Sequence, residues 1–299
     1  MNATFPIPTS KPADFDDYWQ AVLDELAEIP AAPILDPHPL RSTNFSTSYS
    51  LYLTSLGPYR LYAYYNVPRG EGPFPAILHT PAYASVVTQT PFEERRQYVS
   101  MAICARGQRL SDKPFAARFP GLAIVGIDEP QSYVYRGIVA DTVRAIDFLL
   151  SRHEVNARQI ILTGGDTALF GAALRPQVAA VLATDPAFFV AEDQLSSNHD
   201  HYAYPIDEWQ EYRRTFPAKE TAMQQTLSYF NPYYFAPRIR ADVRLSHGPG
   251  NSPFNRAAAE TLAQAITGSV DLDERTGFGY LDYKRMLAWR DSRVKGEKS

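Results

Sequence analysis

The 299-residue chain, with 45% hydrophobic, 13% aromatic and 21% charged residues, has the make-up of a globular protein with a large buried core, not of a disordered or fibrous one. Its net charge of −4, with Lys and Arg scattered along the chain, leaves no basic footprint for nucleic acid. One cysteine, Cys104, excludes an intrachain disulfide, and no run reaches the roughly 20 apolar residues that span a bilayer. The N-terminus lacks a basic and apolar leader, so a cytoplasmic location is expected.

After a Pro-rich arm, "ADFDDYWQAVLDELAEI" sets Phe15, Trp19, Val22 and Leu26 on one face, predicting an amphipathic helix. "YSLYLTSL" and "YRLYAYYNV" flank Gly57-Pro58 and predict an antiparallel hairpin. The runs "FPAILHT", "YVSMAICA", "RQIILTG" and "VAAVLAT" are continuously apolar, as strands covered on both faces are. Between the second and third lies "GIVADTVRAIDFLLSRHEV", with Val139, Val143, Ile146 and Leu150 on one helical face. Strands alternating with helices predict a mostly parallel α/β sheet with right-handed crossovers, and residues 1–299 are expected to form one domain. Residues 185–239 are crowded with aromatics and broken by prolines. They are expected as helices and loops over the carboxyl edge of the sheet, either lining a pocket or filling the core. "DVRLSH" and "SVDLDER" predict strands that are oddly polar, set at an exposed edge or where burial is relaxed.

The stretch "QIILTGGDTALFGAAL" passes from strand through paired glycines into a helix, the layout that presents a nucleophile in many hydrolases. Gly164 and Ala168 keep the small residues that such a strained turn needs, and Asp166 stands at its centre. Asp tolerates a left-handed backbone, so the turn could survive with an Asp nucleophile served by a histidine; alternatively, Asp166 caps the helix that follows. Among the histidines, His79 ends a strand and His247 ends another in "RLSHGPGN"; either could assist Asp166 or be a hydrogen-bonded loop residue. "SNHDHYAY" brackets an aspartate with His199 and His201, but lacks the third and fourth ligands of a metal site and is expected to be a solvated loop. "ARGQR" places Arg106 and Gln108 beside a pocket or in a loop brace. Neither a metal nor a cofactor is expected.

In order, "PADFDDYW", "ARGQ", "SYVYRGIVADTVRAIDFL", "VNARQIILTGG" and "TLSYFNPYYFAPRI" resemble the acetyl xylan esterase and cephalosporin C deacetylase family, carbohydrate esterase family seven. The resemblance implies an α/β-hydrolase fold, a small acetylated sugar or ester as ligand, and a homo-oligomer. It also implies a Ser-Asp-His triad, and the departures fall there. The family's Gly-x-Ser-Gln-Gly-Gly is replaced by Gly164-Gly165-Asp166-Thr167-Ala168-Leu169 with a shorter run to "DP", so the serine is substituted or deleted. Pro249 stands at the acid position and Tyr280 at the base position, while "HTPAY" keeps Tyr83, whose backbone N–H corresponds to an oxyanion donor. The expectation is a member that has lost esterase activity and binds or assembles; the alternative is an active hydrolase using Asp166 with His79 or His247. The arm "TFPIPTSKP" and the 49–67 hairpin are expected at a subunit contact, unless the arm covers its own domain.

Overall fold

The computed structural model describes residues 5–83, 87–113, 115–196 and 204–294. Nine strands form one sheet in the order β1-β2-β3-β5-β4-β6-β7-β8-β9: β1 (Ile34–Pro37), β2 (Ser46–Ser55), β3 (Tyr59–Pro68), β4 (Phe74–His79), β5 (Val99–Cys104), β6 (Val155–Gly164), β7 (Ala180–Thr184), β8 (Asp242–His247) and β9 (Val270–Glu274). From β5 to β9 every neighbour is parallel, and β1, β2 and β3 join antiparallel at one side. The hairpin is in place, with Gly57 at φ +70 in its turn, but its outer strand is itself covered by β1, which the sequence pattern did not reveal.

Period-two alternation divides the central strands between two cores. Ala76 and Leu78 of β4, Ile160 and Leu162 of β6, and Val181 and Ala183 of β7 face the larger one. Their neighbours Ile77, Ile161, Ala180 and Leu182 face a smaller one around Tyr98 and Trp289. This is why the four runs are apolar without interruption. The larger core is covered by α1 (Phe15–Glu28), α3 (Val134–Leu150) and α4 (Asp166–Leu174), and the smaller by the short α2 (Phe92–Gln97) and by α10 (Gly279–Ser292).

Helix α10 carries no clear apolar stripe; its only buried residues are Trp289 and Arg290. Charge holds it in place. Asp271 of β9 accepts Trp289 Nε1 at 2.5 Å and pairs with Arg293 at 2.7 Å, and Asp273 pairs with both Arg285 of α10 and Arg244 of β8. The polar character of these two strands thus serves the helix that packs on them; β8 is interior, and β9 is the exposed edge.

The aromatic segment forms α5 (Ala187–Ser196), α6 (Ile206–Thr215), α7 (Glu220–Ser228) and α8 (Pro232–Phe235), followed by β8, α9 (Arg256–Ala265) and β9. Most of its rings are core. Trp19 of α1 is fully buried, meets Phe230 and Phe235 edge-on at 5.4 and 5.2 Å, and donates its Nε1 to the Tyr229 carbonyl at 3.0 Å. The Pro-rich arm lies across its own domain, with Phe5 5.2 Å from Phe189 of α5 and its carbonyl accepting from Thr261 of α9.

Arg106, just beyond β5, is committed to the scaffold. Its Nη2 and Nε reach both oxygens of Asp141 on α3 at 2.7 and 3.1 Å, and its backbone N–H adds a third donor to that fully buried carboxylate. Gly137, one turn earlier on α3, leaves the space: a Cβ there would lie 2.3 Å from the guanidinium. Removing one partner of a buried charge pair strands the other charge. Asp141→Ala is expected to lower stability by about 3–5 kcal/mol, read as a large fall in urea midpoint at unchanged m-value.

Candidate functional site at the carboxyl edge of the sheet

The carboxyl ends of β4, β6, β7, β8 and β9 meet at one edge, where open α/β sheets bind ligands. Strand β6 ends at Gly164 and α4 begins at Asp166, so Gly165 alone connects them. Asp166 is the first helical residue and is absent from the residues with positive φ. The strained turn, one of the two readings that the sequence allowed, is therefore not formed at Asp166: Gly165 carries the chain from strand into α4 directly. The tight packing is retained, since a Cβ on Gly164 would sit 2.1 Å from Thr80 Oγ1.

Asp166 does cap a helix, but not the one it begins. Its Oδ2 accepts the Ala187 N–H at 2.8 Å and its Oδ1 the Phe188 N–H at 3.1 Å, the first two residues of α5. These are donors that a helix start leaves unpaired within itself. Burial, with a smaller push from Asp185, raises the carboxyl to about 7 against the pull of the two amides. Next to it, Thr167 donates to the Pro81 carbonyl at 2.8 Å and shares a 2.9 Å hydrogen bond with Thr80. The start of α4 is thus tied to the segment that follows β4.

In that segment the Tyr83 hydroxyl donates to Glu208 of α6, and its ring stacks on Tyr204 at 5.6 Å and 5°. Glu208 also accepts the N–H groups of Gly121 at 2.5 Å and Ala123 at 2.7 Å. Gln108 is nearly fully buried and donates to the Ala82 carbonyl at 3.1 Å, with its Oε1 unpartnered. Tyr83 and Gln108 thus bracket one loop, while Arg106 points away to Asp141.

Neither candidate histidine is hydrogen-bonded to Asp166. His79 turns to the opposite side, its Nε2 2.7 Å from Glu94 of α2, whose other oxygen takes Arg290 of α10 at 2.8 Å. His247 is 2% exposed, and its Nδ1 lies 2.8 Å from the Gly248 carbonyl. A carbonyl can only accept, so Nδ1 carries a proton. Beyond it, Asp185 pairs with Arg275, and Asp185 Oδ1 and Arg275 Nε are buried without partners. Asp185 has φ +44, a backbone region sparsely populated by residues other than Gly, Asn and Asp. Pro249 begins an exposed turn closed by the Ser252 N–H at 2.8 Å, and Tyr280 is 67% exposed on α10. The His199 and His201 segment lies outside the described residues; among those described, no cluster of three or more His, Cys, Asp or Glu could hold a metal.

Sequence reasoning missed Asp185, Arg275 and Glu208. Asp185 had a signal, as an acid directly after an apolar strand. Arg275 and Glu208 had none, because each is placed by contacts distant in sequence.

The family model for acetyl xylan esterase matches residues 4–251. The chain belongs to the acetyl xylan esterase family. The match ends ahead of α9, β9 and α10. The acetyl esterase Axe7A of Xylanibacter ruminicola is 24% identical over 308 residues, covering 96% of this chain and 68% of that protein. An acetyl xylan esterase 1 structure from a Thermoanaerobacterium species superposes with a TM-score of 0.79 at 23% identity, covering 96% of this chain and 99% of the other. An acetyl xylan esterase from a Paenibacillus species gives 0.80 at 21%, covering 96% and 97%. The fold is thus that of the α/β-hydrolase esterases. Among the described residues, no helix of this family member is long and apolar enough to cross a membrane.

Because the folded state holds the Asp166 proton more tightly than an ordinary carboxyl, its contribution to stability is present at low pH and is lost as pH rises from about 4 through about 7. The melting temperature of the wild type is expected to fall relative to Asp166→Asn across this interval. Asp166→Ala, which uncaps α5, is expected to cost about 1–2 kcal/mol at pH 7, measured by urea unfolding.

Proposed function

We propose that this chain is a non-catalytic member of its family, one whose Ser-Asp-His triad has been lost and which persists as a binding or assembly protein. The observation that carries the reading is the use made of Asp166, both of whose oxygens are committed to the start of α5. A nucleophile needs a free reactive atom beside a base. At the acid position the exposed Pro249 offers no carboxylate, and at the base position Tyr280 is directed to solvent with the Lys284 ammonium over its ring at 4.6 Å. Loss of a serine triad costs on the order of a millionfold in rate. The ligand that family membership suggests is a small acetylated sugar or ester, held at the edge bounded by Tyr83, Gln108, Asp185 and Arg275.

One observation favours the alternative, a hydrolase that uses Asp166: a carboxyl near 7 suits a general base. Its surroundings do not, since His79 is engaged by Glu94 and His247 by Gly248. The purified protein is expected to hydrolyse p-nitrophenyl acetate at the same background rate as Asp166→Asn, and to ignore a serine-directed phosphonate. Enzyme-like turnover abolished by the phosphonate overturns the proposal; turnover that resists it and vanishes in Asp166→Asn establishes the alternative.

The same reading includes a homo-oligomer, now without the arm, which covers its own domain; exposed faces of the hairpin remain for the contact. Light scattering is expected to give a multiple of the 33.5 kDa chain mass, and a mass near that of one chain at micromolar concentration refutes it.

A further inference from the structure

A cavity of about 430 Å³ lies against α6, between that helix and the segment around Gly121 and Ile124. Its size is in the range of small-molecule sites. Apolar walls come from Pro120 and Ile124 and from two aromatic rings, Tyr204 and Phe216. Those rings are 54% and 46% exposed, which withholds two large apolar faces from the core. The polar lining is one-sided in charge: Asp207, Glu208 and Glu211 are carboxylates, and Arg214 is the sole cation among the lining residues. Gln210, also in the lining, is 3% exposed, and its Oε1 is buried without a hydrogen-bond partner. A buried amide oxygen left unpaired is unusual, and a donor supplied by a ligand would satisfy it.

We propose that this cavity binds a small organic cation, a primary ammonium or guanidinium on a short apolar stem. Aromatic faces attract cations through the ring quadrupole, and the rim already does so: the Lys219 ammonium lies 5.7 Å from the Phe216 centroid while pairing with Asp128 at 2.6 Å. Glu208 supplies charge and little else, because its oxygens are taken by Tyr83, Gly121 and Ala123. Glu211 accepts only a 3.3 Å hydrogen bond from Thr215 among the described residues, so its carboxylate is available to a ligand. An anion would meet three like charges. A neutral polyol would find acceptors in excess and few donors. The site is separate from Asp166, and its existence does not depend on whether the chain hydrolyses esters.

The test is calorimetric titration of the full chain with agmatine and, in a second arm, with acetyl-Gly-Arg-Gly-amide, which presents the same guanidinium on a peptide. Phe216→Ala and Glu211→Gln replace exposed side chains, so the fold is expected to persist, as circular dichroism will check. Saturable binding of agmatine that weakens about tenfold in each variant, and weakens further in high salt, supports the site with a free cation as its ligand. Tighter binding of the peptide supports it with a protein side chain as the source. Binding of neither probe at millimolar concentration, or equal affinity in the wild type and both variants, overturns the proposal.

Discussion

The buried pair of Arg106 and Asp141 is the constraint on which the arrangement of the carboxyl edge rests. A guanidinium taken out of water is tolerated only where its charge and donors are met, and here a fully buried carboxylate takes three N–H donors from one residue. The arginine follows β5 and the aspartate lies in the middle of α3, so the pair fixes how the sheet's edge meets the principal helix. Gly137 gives the side chain passage, and the Tyr59 ring backs it at 4.9 Å. The loop from Gly107 to Ser111 then returns to the sheet, with Tyr59 Oη donating to the Ser111 carbonyl at 2.6 Å and Ser111 Oγ donating to that of Cys104 at 2.6 Å. Gln108 thereby comes to lie beneath the Tyr83 loop.

With that frame in place, the turn after β6 has been put to a structural use. Direct entry into α4 relaxes the backbone that a nucleophile elbow strains, and the side chain at its start joins two helices that are separate in sequence. Thr80 and Thr167 occupy the adjoining space with a hydrogen bond of their own. Tyr83 and Glu208 make a comparable tie between the segment after β4 and α6. The edge is thus knitted by side-chain hydrogen bonds, and the polar atoms left unpaired there belong to Gln108, Asp185 and Arg275.

Polar strands β8 and β9 illustrate a different limit on reading a sequence. Their Asp and Arg residues weaken the strand pattern, and α10 has no stripe to announce it. Each makes sense only with the other, since the acids of β9 hold Arg285 of α10, Arg293 just after it and the Trp289 indole. Local patterning records burial against an apolar neighbour; it carries no mark of an ion pair formed across about 20 residues.

Several features were determined by the sequence alone. Continuous apolar runs fixed the two-faced parallel strands, because each alternate side chain must meet one of two cores. Helical spacing fixed α1 and α3. Ordered motifs pointed to the family that the chain belongs to. Tertiary structure alone decided that Asp166 caps α5 instead of α4, that His79 meets Glu94 and His247 the Gly248 carbonyl, and that the aromatic segment mostly fills the core while leaving Tyr204 and Phe216 at a cavity. The physical reason is common to all of these. Hydrophobic periodicity is a local property of the chain, whereas hydrogen bonds and charge pairs are satisfied by whichever group the fold brings within about 3 Å, however far away it lies in sequence.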